Sequence, residues 1–234
     1  MRLKVYLKVK EGGDIMPKSP SILNTYIHRC LGKDNKYHDA KNDYCISTIS
    51  NIKYNDDNKT VIVTNKSYFI ISSLNKKFIK KIRNAITDRK FGIYRDIRVG
   101  EIEIINEEIV DGWNNFQTLS PFLIKIYQDK KNYTFLTLND PDFENVVKDY
   151  LIKKLVKINP DLDLTDFKLN IKNSDKNRVC KVMLRNVKNL ANRCRISIFC
   201  KKEVAELLYN IGIGQSTGAG FGTIYKIENA KLYN

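Results

Sequence analysis

Residues 212–222 read GIGQSTGAGFG and hold five of the eleven glycines in a chain of 234 residues. Glycine enters positive-φ backbone at no steric cost and lets a second backbone approach closely. A tight turn needs one or two glycines, a phosphate cradle needs several so that amide N–H groups converge, and a flexible linker needs no particular order. The flanks exclude the linker. KKEVAELLYNI before the run places Val204, Leu207, Leu208 and Ile211 at helical spacing, and FGTIYKIENAKLY after it reads as a strand with Ile224 and Ile227. The run is therefore a helix-to-strand corner inside a folded domain. It is neither the dinucleotide fingerprint, which opens a helix, nor the phosphate loop ending in Gly-Lys-Ser/Thr. A packed turn and a loop pressed against RNA or another phosphate ligand both remain open.

Upstream of this corner, RCRISIFC alternates Cys194, Ile196, Ile198 and Cys200 with Arg193, Arg195 and Ser197, as a half-buried strand does. DFKLNIK and VCKVMLR read as further strands. PDFENVVKDYLIKKLVKI is the clearest helix, with Asp140 as its expected cap, Pro141 in its first position, and an apolar side running from Phe143 and Val147 to Leu155 and Ile158. SPFLIKIY and NYTFLTL supply strands before it. The turn-rich VDGWNNF, residues 110–116, marks a domain boundary, giving one unit over 1–112 and another over 113–234.

The first unit repeats the order of elements. MRLKVYLKVK puts Leu3, Val5, Leu7 and Val9 on one face of a strand and Arg2, Lys4, Tyr6, Lys8 and Lys10 on the other. KSPSILNTYIHRCLGK is a helix with Ser19 or Ser21 as cap, Pro20 in the first turn, and an apolar stripe through Leu23, Tyr26, Ile27, Cys30 and Leu31. Strand-like segments follow near 45–49, 60–64 and 68–72, then the helix NKKFIKKIRNAI, then the strand IRVGEIEII. Each half thus reads strand, helix, strands, helix, strand. The expected fold is α+β, two tandem ferredoxin-like (RRM-like) domains with a C-terminal glycine-rich loop.

With 41 basic and 26 acidic residues the formal charge is +15, which favours a polyanionic partner. The five cysteines are scattered and contain no CxxC pair, so neither a disulfide framework nor a zinc site is expected. The opening residues are not a signal peptide and no apolar run reaches membrane-spanning length, so the expected location is the cytoplasm, with no membrane partner.

The basic chain, the paired ferredoxin-like order, the G-hydrophobic-G-x-x-x-G-x-G-F-G corner, the histidine in KYHDAKNDYCISTIS and the SPF segment before TLNDPDFENVV together resemble the CRISPR repeat-processing endoribonucleases of the RAMP superfamily. The resemblance implies metal-independent cleavage of repeats in CRISPR precursor RNA (pre-crRNA), leaving a 2′,3′-cyclic phosphate and a 5′-hydroxyl, with no cofactor. Its partner is the CRISPR repeat RNA; a second copy of the chain and a CRISPR effector complex are further options. A non-catalytic RNA-binding subunit of such a complex is the competing reading, and a general RNA-binding protein with paired recognition modules is a third.

That chemistry needs a base near the 2′-hydroxyl, an acid near the leaving 5′-oxygen and positive charge around the phosphorus. His38 matches the position of the family's catalytic histidine, and His28 lies on the polar face of the first helix with Asn24, Thr25 and Arg29. Tyr26 matches a helix tyrosine used by some members but shares the apolar stripe, so core packing competes with catalysis there. Some members add a lysine several residues past the histidine; here Lys41 is three residues on, and the more distant match falls near Tyr44. Lys36 and Lys41 are candidates for charge stabilisation or phosphate contact. For RNA binding the candidates are Gly212, Gly214, Gln215, Ser216, Thr217, Gly218, Gly220 and Gly222, followed by Arg193 and Arg195.

Overall fold

The computed structural model describes residues 1–32, 44–55, 59–88, 91–129, 132–184 and 187–227. The first half runs through β1 (Arg2–Lys8), β2 (Asp14–Pro17), α1 (Pro20–Leu31), β3 (Tyr44–Ile46), β4 (Lys53–Tyr54), β5 (Thr60–Val63), β6 (Tyr68–Ser73), α2 (Lys76–Thr87) and β7 (Arg98–Ile105). Its main sheet has the order β3-β6-β1-β7 with every pairing antiparallel, while β2, β5 and β4 form a small separate sheet. Without that insertion the order is β1-α1-β3-β6-α2-β7, which is the ferredoxin-like plan.

The alternation of β1 sets the core. Leu3, Val5 and Leu7 are buried, and in register beside them lie Ile71 and Phe69 of β6. Phe78, Ile79, Ile82 and Ile86 of α2 and Leu23, Tyr26, Ile27 and Leu31 of α1 close the same core from above. Asn75 caps α2 by accepting from the Phe78 N–H at 3.0 Å. Ser19 stands at the N-cap of α1, where its hydroxyl pairs with that of Ser21 at 2.7 Å, Pro20 begins the helix, and Gly32 ends it at φ 88°.

The second half contains β8 (Gly112–Thr118), β9 (Lys125–Tyr127), β10 (Tyr133–Phe135), α3 (Phe143–Ile158), β11 (Lys168–Lys172), β12 (Arg178–Leu184), β13 (Val187–Arg193), β14 (Arg195–Cys200), α4 (Lys202–Ile211) and β15 (Ile224–Lys226). Its main sheet, β11-β14-β8-β15, repeats the first-half order with antiparallel pairings throughout. Two hairpins, β9-β10 and β12-β13, are added to the plan.

Four expectations are corrected. The segment 112–118 is an interior strand of the second sheet instead of a break, and SPFLIKIY gives only the short β9 of a side hairpin. Polar residues hid β8: Asn114 is buried but spends its amide on Val110 and Gly112, so it needs neither water nor an apolar neighbour. The third helix starts after Asp142, because the Asp140 carboxylate accepts from the Thr137 N–H and so holds the preceding turn. Arg2 is not on an exposed basic face. It is 1 % exposed, donates to the carbonyls of Tyr209 and Ile224 in the second half, and stacks 3.5 Å from the Tyr209 ring centroid.

Candidate functional site

The glycine corner lies in the seam between the halves. At Gly212 an added Cβ would come 2.7 Å from Cys45 Sγ, at Gly218 it would come 2.8 Å from the Tyr44 ring, and at Gly220 it would come 2.8 Å from Cβ of Pro20. Those three neighbours belong to the first half. Gly214 is closed off by the Leu123 carbonyl at 2.7 Å and Gly222 by the Ile213 carbonyl at 1.7 Å, and both have positive φ. Each of the five glycines is therefore required by a close approach, and none is spare.

The corner's amides serve the same purpose. Gln215 N–H donates to Leu123 at 2.7 Å, Ile213 N–H to Gly222 at 2.9 Å and Gly222 N–H to Pro121 at 3.0 Å. Lys154 of α3 donates from Nζ to the carbonyls of Gly212 and Gly214 at 2.8 and 3.1 Å, and burial pushes its pKa down to about 8. Gln215 is held as well, since its side chain accepts from Lys125 N–H at 3.1 Å and donates to Lys125 C=O at 3.2 Å.

This placement divides the binding candidates. Gly212, Gly214, Thr217, Gly218, Gly220 and Gly222 are buried, whereas Gln215, Ser216 and Ala219 reach the surface. Direct contact with a ligand therefore narrows to the Gln215–Ser216 and Ala219 edge, where Ser216 takes left-handed φ of 56°. The buried positions shape that edge from behind. Thr217 is committed to the Tyr44 carbonyl, to which its hydroxyl donates at 3.0 Å.

Pro20, Asn24 and His28 of α1 recur every four residues and so share one helix face. That face, polar in the sequence, meets the glycine corner: Pro20 abuts Gly220, and Asn24 donates to the Gly218 carbonyl at 2.9 Å. One turn further, His28 Nε2 lies 3.3 Å from the Tyr44 hydroxyl. Tyr26 points the other way, 1 % exposed in the first core with its phenol pKa raised by burial. His38, Lys36 and Lys41 lie outside the described residues.

Arg193 and Arg195 sit elsewhere and on different strands, since Arg193 ends β13 and Arg195 opens β14. Arg193 donates to the Leu119 carbonyl at 3.0 Å and is half-buried, as is Arg195. Burial raises the Tyr225 phenol pKa, Tyr68 from the first half adds to the rise, and Arg195 and Arg193 oppose it. A groove of about 620 Å³ within the first half is lined by residues including Lys4, Tyr6, Lys66 and Tyr68, with Lys4 Nζ 4.8 and 4.7 Å from the two tyrosine rings. Cations over aromatic rings make a surface suited to bases and phosphates alike.

Sequence reasoning missed Lys154, Asn24 and Tyr44 as parts of the seam. The first carried a usable signal, because Lys154 falls seven residues after Val147, on the margin of the apolar stripe of α3. The second was grouped with His28 on a polar face, but nothing in the sequence says what that face meets.

Two ferredoxin-like units in one chain, locked by a glycine corner of the second on the first helix, define a tandem ferredoxin-like α+β protein. The family model described as CRISPR associated protein Cas6, C-terminal, matches residues 104–225, and the chain belongs to the Cas6 family. The product of a Cas6-related gene from Pyrococcus furiosus superposes with a TM-score of 0.83 at 21% identity, covering 98% of this chain and 99% of that one. A structure described as an RAMP protein binding different RNA substrates gives 0.82 at 22%, covering 97% and 100%. A Cas6 product complex gives 0.69 at 12%, covering 97% and 99%. At these identities the likeness is one of fold. No curated protein sequence matches the chain. Among the described residues no helix is long and apolar enough to cross a membrane.

Proposed function

We propose that the protein is a metal-independent endoribonuclease that binds CRISPR repeat RNA and cleaves it within the repeat. The observation that carries this reading is the seam itself: a histidine-bearing helix face from the first half meets the glycine corner of the second, in a chain of charge +15. Family membership and the RNA bound by solved relatives support it.

In the reaction, a base takes the proton of a 2′-hydroxyl, the 2′-oxygen attacks the adjacent phosphorus, and the 5′-oxygen leaves with a proton from an acid. The products are a 2′,3′-cyclic phosphate and a 5′-hydroxyl. His28 and His38 are the two groups whose ordinary pKa of about 6.5 allows both jobs at neutral pH. Lys41 and Lys36 would neutralise charge near the phosphate. The RNA would cross the Ser216–Ala219 edge and run past Arg193 and Arg195.

Incubation of the purified chain with repeat RNA tests the reading. Cleavage is expected to persist in EDTA and to stop when one 2′-deoxy nucleotide is placed immediately 5′ of the scissile phosphate. His38→Ala should abolish cleavage while sparing binding. A strict magnesium requirement, or full activity in that variant, rejects the mechanism. RNA bound but left intact by the wild type would instead identify a non-catalytic RNA-binding subunit.

A further inference from the structure

Tyr44 occupies a position that the proposed reaction does not yet use. It opens β3, is 4 % exposed, and its ring stacks on Phe78 with centroids 4.9 Å apart. On the other side the ring lies so close to Gly218 that any Cβ there would come within 2.8 Å of it. The backbone is fixed too, since the Tyr44 carbonyl accepts from Thr217. Packing and not solvent thus sets where the hydroxyl sits, and it sits 3.3 Å from His28 Nε2. Asn24, one turn before His28 on the same helix face, closes the circuit by donating to Gly218.

Burial raises the pKa of the Tyr44 phenol, so the hydroxyl keeps its proton through the neutral range. A phenol hydroxyl both donates and accepts, so the 3.3 Å contact admits either tautomer; where the phenol donates, it donates to the ring nitrogen that has no hydrogen. The other nitrogen then carries the ring proton, and the hydrogen bond holds both tautomer and orientation. Which ring nitrogen carries the proton is set by the hydrogen bond the other makes, so such a partner decides which nitrogen faces a substrate as donor or acceptor.

We propose that Tyr44 is a positioning residue of the cleavage site: its hydroxyl donates to His28 Nε2, fixes the Nδ1–H tautomer, and ties the ring's orientation to the docked glycine corner through Gly218. The kinetic consequence rests on the reading of His28 as an acid or base, but the contact and the tautomer do not. RNA pressing on the Ser216–Ala219 edge acts on Gly218, and through the Tyr44 ring on the histidine.

The chain has two histidines, so nitrogen-15 spectra of the free protein, at a pH of about 8 where imidazole is neutral, resolve His28 once a His38→Ala sample has assigned the other. The wild type should show His28 protonated on Nδ1. Tyr44→Phe keeps the ring stacked on Phe78 and removes only the hydroxyl; it should move the proton to Nε2. It should also slow single-turnover cleavage roughly tenfold, a fraction of what a complete acid or base supplies, with RNA affinity and melting temperature unchanged. Gly218→Ala, which displaces the ring without touching the hydroxyl, should produce the same spectral change and guards against misfolding of the first variant. An Nε2–H tautomer in the wild type, or a tautomer unchanged in both variants, overturns the proposal. So does an unchanged rate in Tyr44→Phe when His28→Ala is inactive. Full cleavage by His28→Ala combined with a tautomer switch supports the contact and removes His28 from the chemistry instead.

Discussion

β1 and β8 hold the same place in two sheets of the same order, yet they face their helices with different chemistry. β1 turns Leu3, Val5 and Leu7 inward, whereas β8 turns Asn114, Phe116 and Thr118 inward, and all six are buried. The polar pair in β8 is not a packing fault. Asn114 holds the chain that joins the halves, through Val110 and Gly112, and the Thr118 hydroxyl accepts from Cys194 N–H at 3.1 Å. Regular helices ask a strand for apolar side chains; irregular backbone asks it for hydrogen-bond partners. The second half carries the linker and the glycine corner, and with them the larger share of the buried polar residues. Lys154 continues the pattern by donating to two carbonyls of the corner.

If that difference is real, exchanging the two chemistries should fail in both directions. Val5→Asn would bury an amide with no partner and lose an apolar contact, at a cost on the order of 4 kcal/mol, read by urea denaturation. Asn114→Leu would give β8 the alternation it lacks but strand the Val110 N–H and C=O, at a cost of roughly 2 kcal/mol. A β8 variant as stable as the wild type would show that the linker does not need the amide.

The lysine sharpens the comparison through pH. Its folded pKa is about 8, below the ordinary lysine range, so between those values the unfolded chain binds more protons than the folded one. Stability from this group therefore rises as pH increases from about 8 toward the ordinary lysine range. Lys154→Met should flatten that part of the stability profile relative to the wild type, and an unchanged slope would remove the buried-ammonium account. The smallest effect is expected outside the seam: Arg195→Ala should leave stability nearly unchanged and flatten the slope of log RNA affinity against log salt by about 1 if the side chain meets a phosphate.

The same contrast explains what could be read in advance. β1, α1, α2 and α4 were legible because their apolar residues recur at the period of the element, and the helix-to-strand corner was legible because its glycines stand between two such segments. β8 and β13 were not, since GWNNFQT and VKNLANR bury amides in place of apolar side chains, and their partners lie in the adjoining turn for Asn114 and across the fold, at Leu136 and Leu138, for Asn192. For the candidate site, the sequence supplied the polar face of α1 with His28, but not the tyrosine that contacts it or the loop that covers it.

Sequence by itself determined the tandem α+β plan, the excess of positive charge, the two histidines and the glycine corner. These follow from local periodicity, composition and the conformational freedom of glycine, none of which needs a distant partner. Tertiary structure alone decided that Arg2 is a buried clamp, that most of the corner's glycines face the other half instead of solvent, and that Tyr44 lies between Gly218 and His28. A side chain's neighbours across the fold depend on how two sheets and their helices close on one another, and that closure is not written in the spacing of any one segment.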